Sequence, residues 1–432
     1  VLPAYAAYAA LSSGLFVSGF PFYYLYYRCS GRPIPLLSQR LGVYDTPLRH
    51  LKGMPRIWIH AVSVGEVNVG AAIIQALKRM QPQCGIFLST STYHGQVAAG
   101  RLMADGVRCI YAPLDFILSV RNALSAIRPE VLVCLETEIW PNWLMAAHNL
   151  GIRTALVNGR LSERSIRRYR WVRPLMAETL GQVDAFSMIH EDDARRIRRL
   201  GAPTERVAVG GNAKYDLLPG AADPATAEKM ALLYRVAPGQ PVWVAGSVRR
   251  TETSLVLEVF KGIKARFPDA LLIVAPRHLE RVPGIRARAR ALGLSCQLRS
   301  EIHEAGQQRR ASVVILDTMG ELRATYSVAA AVFCGGSLVP LGGQNVLEAA
   351  VWGKPVLYGP FMDDFREARE LLEAAGGGIE VADGADLTQR LTDIFSTPKL
   401  AADLGTRAHR AVWSRVGAAE RHAAAILDLL GS

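Results

Sequence analysis

The chain has 432 residues, half of them hydrophobic and a fifth charged, so it is long enough for two domains and too apolar to be disordered. A formal net charge of +12 calls for an anionic partner: nucleic acid, an anionic membrane surface or a phosphorylated substrate. The six cysteines (Cys29, Cys84, Cys109, Cys134, Cys296, Cys334) form no CxxC pair and no Cys/His ligand spacing. That argues against structural zinc and for free thiols in a reducing compartment.

Residues 1–27 contain no Asp, Glu, Lys, Arg or His. Arg28, Arg32, Arg40, Arg49, Lys52 and Arg56 follow, against one acid, Asp45. An apolar segment of this length can span a bilayer core of roughly 30 Å. Tyr23, Tyr24, Tyr26 and Tyr27 would form an aromatic belt, and the arginines after it place that end in the cytoplasm. The sequence therefore predicts a membrane anchor over residues 1–30. Pro21 and the many small residues leave a shallowly inserted helix open, and a buried core helix is the third possibility. No basic region precedes the apolar run, as a cleaved signal peptide would require.

Beyond the anchor, strand, loop and helix alternate. Strands are predicted at Arg56–Val62, Gly85–Ser89, Val131–Leu135, Thr154–Val157, Ala185–Met188 and Val207–Val209, with helices running to about Met80 and over Tyr93–Met103. Asp216–Thr226, with two prolines and no apolar period, reads as a linker. The alternation then restarts: strands at Val242–Ala245, Leu271–Ala275, Val313–Leu316, Val328–Phe333 and Val356–Tyr358, helices at Glu252–Arg266 and Phe365–Ala375, and a helical tract over Leu400–Leu430. Such alternation implies two doubly wound α/β domains, 31–218 and 219–432, facing each other across a cleft, with ligands at the carboxyl ends of the strands.

Several loops at strand ends carry polar groups. In IWIHAVSVGEV, Ser63 and Glu66 have the Ser-x-x-Glu spacing of a capping box; the same position suits a general base at a strand's carboxyl end. In LETEIWPNW, Glu136 and Glu138 stand beside Trp140 and Trp143, either as solvated or capping carboxylates or as a polar site with an apolar wall. In GGNAKYD, Lys214 is a surface lysine or a cation that neutralises a leaving phosphate. NGRLSERSIRRYRWVRP holds six arginines against one acid, Glu163. Of these, Arg160, Arg164, Arg167 and Arg168 fall on one face by i, i+3, i+4 spacing. That face is plainly solvated or meets phosphate on a lipid or bilayer surface. Nucleic acid is disfavoured, for no aromatic interleaving or groove-reading motif accompanies the charge.

In the second half, AGSVRRTE (Ser247, Arg249), APRH (Arg277, His278) and DTMGEL (Asp317, Gly320, Glu321) follow strand ends. FCGGSLVPLGGQNVLEAA adds two glycine pairs before an expected helix start, with Asn345 and Glu348 close behind. Glycines there let backbone N–H groups approach an anion, and a helix dipole would favour it. An ordinary glycine-containing strand–loop–helix is the alternative. No GxGxxG or Walker lysine loop is present.

HAVSVGEV, LETEIWPN, NGRLSERS, GNAKYD, APRHLERV, DTMGEL and GGQNVLEAA, in this order, resemble the 3-deoxy-D-manno-octulosonic acid (Kdo) transferase family of lipopolysaccharide synthesis over about residues 30–430. The resemblance implies a GT-B fold with an inner-membrane anchor and cytoplasmic catalytic domains. It implies inverting transfer of Kdo from CMP-Kdo to the lipid A precursor, lipid IVA, with no metal or cofactor. By resemblance Glu66 is the catalytic base, and Glu136 and Lys214 stabilise the transition state. Ser247, Pro276, Arg277, Met319, Gly320, Glu321, Asn345, Val346, Leu347 and Glu348 lie in the donor-binding stretches. One loop departs: where the family has Gly-Ser-Thr and a Gly-Glu-Glu run, this chain has Gly246-Ser247-Val248 and then Arg249-Arg250-Thr251-Glu252-Thr253. A GT-B enzyme using a UDP-sugar, or a non-catalytic anchored binding protein, would share much of this pattern.

Overall fold

The computed structural model describes residues 3–29, 37–44, 48, 53–102, 106–218, 222–303 and 308–431. Arg32, Asp45, Arg49, Lys52 and the middle of the expected linker lie outside the described residues. The chain divides into two compact units, Val1–Leu217 with Val416–Ser432, and Leu218–Arg415.

The first unit is a seven-stranded parallel sheet of β1 (Arg56–Ala61), β2 (Gly85–Thr90), β3 (Val107–Tyr111), β4 (Val131–Leu135), β5 (Arg153–Gly159), β6 (Ala185–Met188) and β7 (Val207–Val209). Their order is β3-β2-β1-β4-β5-β6-β7. The central strands are buried on both faces, as in β4 and β1, because helices cover each side of a parallel sheet. One core gathers Ile57, Ile59, Val133 and Val157 against the helix Val64–Met80. The opposite core holds Trp58, Phe87, Leu132 and Trp143.

The second unit repeats the plan with β8 (Val242–Val248), β9 (Leu271–Pro276), β10 (Cys296–Leu298), β11 (Val313–Ile315), β12 (Ala331–Cys334), β13 (Val356–Tyr358) and β14 (Gly378–Glu380). Their order is β10-β11-β9-β8-β12-β13-β14, again all parallel. In each sheet the strand order reverses beside the first strand, between β1 and β4 and between β8 and β12. Loops diverge there and leave a crevice.

Two expectations change. The helical tract over Leu400–Leu430 is two helices, Pro398–Trp413 and Ala418–Asp428, parted at Gly417, whose φ of 93° lies in the left-handed region. The second helix packs on Val64–Met80 in the first unit, so residues 416–432 leave the predicted 219–432 domain. Asp216 accepts hydrogen bonds from Gly417 N–H and Ala419 N–H (2.6 and 3.1 Å) and so caps this helix.

The second change concerns the N-terminus. Residues Pro3–Cys29 do form one helix, yet among the described residues no helix is long and apolar enough to cross a membrane. Serine, glycine, proline and tyrosine dilute its apolar run. Its first turns are docked on the first unit instead. Glu178 accepts from Ala4 and Tyr5 N–H (3.2 and 2.8 Å), satisfying orphan donors of the helix start. Tyr8 Oη donates to Asp115 at 2.5 Å, and Phe16 stacks on Phe116 at 4.3 Å. Further along, Leu11, Leu15, Val17, Phe22 and Leu25 are exposed.

Candidate functional site

Three carboxylates and one lysine gather where the first sheet reverses. β1 runs out at Ala61, and Glu66 sits in the first turn of the helix Val64–Met80. Its carboxylate accepts from Val62 N–H at 2.8 Å and from the Ser63 hydroxyl at 3.1 Å. Ser63 makes no cap bond of its own to the helix, and Glu66 reaches past the Ser63 N–H to that of Val62, so the capping box is not formed. Glu66 is 9% exposed. Burial raises its pKa and the Glu136 charge adds to this, while the Val62 and Ser63 hydrogen bonds and Lys214 oppose.

β4 ends at Leu135, and the next residue, Glu136, has φ of 53°. A non-glycine residue in this region is strained, and such strain collects at functional sites. Glu136 Oε1 pairs with Lys214 Nζ at 2.9 Å. Lys214 is delivered by the loop after β7, which is braced from several sides. Asn158 Oδ1 accepts from Ala213 N–H (2.8 Å) and Asn212 Oδ1 from Lys214 N–H (3.0 Å). Buried His422 bridges the Ser187 hydroxyl and the Gly211 carbonyl (2.8 and 3.0 Å). Glu138 accepts from the Trp140 indole N–H at 2.7 Å. Burial first, then repulsion by Glu66 and Glu136, pushes its pKa up to about 7. Trp143 is not a wall of this site: it is buried in the core against Trp58 and His60.

Arg164, Arg167 and Arg168 lie exposed on the helix Glu163–Tyr169. Arg160 precedes that helix and does not share its face, because the chain stays extended until the Ser162 cap. Glu163, on the same helix, pairs with Arg196 at 2.9 Å, and among the described residues Arg164, Arg167 and Arg168 form no ion pair within 4.0 Å. Trp171, between Arg170 and Arg173, is 90% exposed.

In the second unit Ser247 has φ of 53° at the end of β8. Pro276 closes β9 beside Val248, and exposed Arg277 donates its N–H to the Val248 carbonyl (3.0 Å). Glu348 is mostly buried. Burial raises its pKa, with the Arg323 and Arg277 charges opposing. Four expected donor residues behave differently. Val346 and Leu347 turn into the core, so only their backbone is available to a ligand. Glu321 is occupied by Arg299 at 2.9 Å and by the Thr318 hydroxyl. Asn345 Oδ1 caps Leu347 N–H (3.1 Å). Gly320 (φ 86°) and Met319 (80% exposed) form an open turn. The helix after the second glycine pair is the single turn Leu347–Ala350, cut short by Gly353 (φ 66°) and Pro355. One turn sums few peptide dipoles, so the anion-favouring field expected there is weak.

Residues 36–217 match the model of a family described as 3-deoxy-D-manno-octulosonic-acid transferase (kdotransferase). A 3-deoxy-D-manno-octulosonic acid transferase of Haemophilus influenzae is 29% identical over 395 residues, covering 91% of this chain and 90% of its own length. One from Bordetella pertussis is 29% identical over 384 residues, covering 87% of each chain. Residues 36–217 thus carry the domain of the Kdo transferase family, and the likeness to its members runs along most of the chain. Among solved structures, a UDP-GlcNAc 2-epimerase from Neisseria meningitidis matches with a TM-score of 0.58 at 15% identity, over 87% of this chain and 99% of that one. A glycosyltransferase from Rickettsia africae matches with a TM-score of 0.55 at 12% identity, over 87% and 98%. These likenesses are of fold alone, and they support a two-domain, Rossmann-like, GT-B-like architecture. The Kdo transferase motifs HAVSVGEV, LETEIWPN and GNAKYD thus converge on one crevice, Glu66 and Glu136 from adjacent strands and Lys214 from the chain's far side of the sheet.

Proposed function

We propose that this protein transfers Kdo from CMP-Kdo to the lipid A precursor, lipid IVA, in lipopolysaccharide synthesis, by one displacement that inverts the anomeric carbon. The observation that carries the reading is the buried Glu66 carboxylate beside the Glu136–Lys214 pair at the reversal of the first sheet. Glu66 takes the proton of an acceptor hydroxyl as that oxygen bonds to the anomeric carbon of Kdo. The bond from this carbon to the donor phosphate breaks, and CMP leaves with the electron pair. The burial that raises the Glu66 pKa makes its carboxylate a stronger base than an exposed one. Lys214, held by Glu136, supplies positive charge where negative charge develops. The leaving group carries one phosphate, so in this reading cationic side chains suffice and no metal or cofactor takes part.

The test is incubation with CMP-Kdo generated in situ and tetra-acylated lipid A precursor, read by mass spectrometry. The expected product is heavier by one or more Kdo units. Turnover of a UDP-sugar with CMP-Kdo left intact would overturn the reading.

The same proposal places the protein on the cytoplasmic face of the bacterial inner membrane. Exposed Leu11, Leu15, Val17, Phe22 and Leu25, the arginines of the helix Glu163–Tyr169 and exposed Trp171 support attachment at the interface. Replacing Arg164, Arg167 and Arg168 together by Gln is expected to raise the apparent KM for acceptor in anionic vesicles. The defect should shrink at high salt, where screening removes the wild type's advantage. Wild-type kinetics at low salt would reduce this cluster to a solvated face.

A further inference from the structure

The donor-side loop that departs from the family pattern places a cation at the reversal point of the second sheet. β8 and β12 are the adjacent strands there, paired Gly246 to Cys334. Their two following loops are tied together by Glu252. Its carboxylate accepts from Arg249 N–H on one loop (2.9 Å) and from Gly336, Ser337 and Leu338 N–H on the other (2.6, 3.0 and 2.9 Å). The first loop is strained on either side of Arg249: Ser247 and Arg250 have φ of 53° and 47°. The second keeps open space for the arginine. A Cβ on Gly336, itself at φ of 70°, would stand 3.3 Å from Arg249 Cδ.

Arg249 therefore lies half-buried between the two glycine pairs, with Nη1 reaching the Leu341 carbonyl at 3.4 Å. Its Nε is buried and has no hydrogen-bond partner among the described residues. No carboxylate among them forms an ion pair with it within 4.0 Å. A guanidinium has five donors and does not release its proton. Holding one partly desolvated with most donors unused is unfavourable unless an anion completes it. The crevice beside it is the place where a parallel sheet of this order takes its ligand.

We propose that Arg249 binds the phosphate of the donor nucleotide. This rests on the reading of the donor as a cytidine nucleotide. The outer Nη groups donate to phosphate oxygens, and Ser247 and the N–H groups of the glycine loops complete the shell.

The experiment is calorimetric titration of the full chain with CMP, cytidine and UDP, for wild type, Arg249→Gln and Arg249→Lys, each checked by thermal melting. Arg249→Gln is expected to weaken CMP about ten- to a hundredfold, the usual cost of a lost hydrogen bond to a charged group. Cytidine affinity should stay the same, and Arg249→Lys should recover part of the loss, since lysine keeps the charge without the fork. Equal CMP affinity in wild type and a folded Arg249→Gln overturns the assignment, as does an equal loss for cytidine. If wild type prefers UDP, the donor reading fails by itself; Arg249 is then judged by the same substitution on UDP, with uridine as the control.

Discussion

Glu66 and Glu252 occupy equivalent places in the two units. Each lies in the first turn of the helix that follows the first strand of its sheet, and each reaches back to the loop before it. The difference is occupancy. A carboxylate has about four lone-pair sites. Glu252 fills them with four backbone N–H groups and is 1% exposed. Glu66 accepts two hydrogen bonds, from Val62 and Ser63, and keeps lone pairs for a further proton. One position in a repeated fold thus serves as a rivet in the second unit and keeps unused lone pairs in the first, as the proposed role of Glu66 requires. What separates them is the number of donors the neighbouring strand supplies. β12 is followed by Gly335-Gly336, which brings backbone N–H groups close. β4 is followed by Glu136, which brings a second negative charge.

The sharpest way to break the comparison is Glu66→Gln. The amide oxygen still accepts from Val62 N–H and its NH2 can donate to the Ser63 hydroxyl, but the group cannot take the acceptor's proton. Turnover is expected to fall about 10²–10⁴-fold, with the melting temperature and CMP affinity near wild type. A variant with near-normal turnover and a lowered melting temperature would make Glu66 a second rivet.

Glu252→Ala should act the opposite way. It orphans four backbone donors in a buried loop, each costing roughly 1–3 kcal/mol when left unsatisfied. Local rearrangement recovers part of this, so a loss of about 3 kcal/mol is expected. Denaturant unfolding should show it in the second unit, together with loss of nucleotide binding. Unchanged unfolding with unchanged binding would mean that the two loops hold together without the carboxylate.

The smallest effect concerns Glu138. Its pKa of about 7 in the folded protein lies above the ordinary value of 4.5. The folded state therefore holds this proton more tightly than the unfolded chain. The stabilising contribution is full below pH 4.5 and is lost as pH rises through 7. Glu138→Gln removes that loss, so its melting temperature should gain on wild type between pH 5 and pH 8. A constant difference across this range would show that Glu138 titrates like an exposed glutamate.

The buried strands were legible because a parallel strand covered on both faces is a near-continuous apolar run. Val131–Leu135 and Ala185–Met188 match their predicted limits; the edge strand Val207–Val209, two of whose residues are exposed, matches as well because all three of its residues are apolar. Three strands escaped. β3 interleaves Arg108 and Cys109 with its apolar residues, and β10 and β14 are three-residue edge strands with partly exposed positions. An edge strand needs no apolar run, so hydropathy does not reveal one that lacks it. The strand expected over Val328–Phe333 begins only at Ala331, because Tyr326–Val328 makes a 3₁₀ turn first. Spacing alone left Glu66 undecided between cap and base, because the Ser-x-x-Glu spacing is there although the box it signals is not made. The Glu136–Lys214 pair joins residues far apart in the chain, so no local pattern could disclose it; the family motifs did. The Glu252 rivet was hidden for the same reason, since three of its four donors come from a strand end far downstream.

The helix Ala418–Asp428 has a consequence for biosynthesis. It packs on the first unit, and through His422 it holds the loop that carries Lys214. The ribosome makes it only after all of Leu218–Arg415. The first unit therefore waits, with part of its core uncovered, while the second is translated and can fold. Its crevice is assembled last, so a nascent chain can acquire a complete second unit before it acquires the Lys214 arrangement. The loop that carries Lys214 gains its His422 brace only once this last helix has left the ribosome.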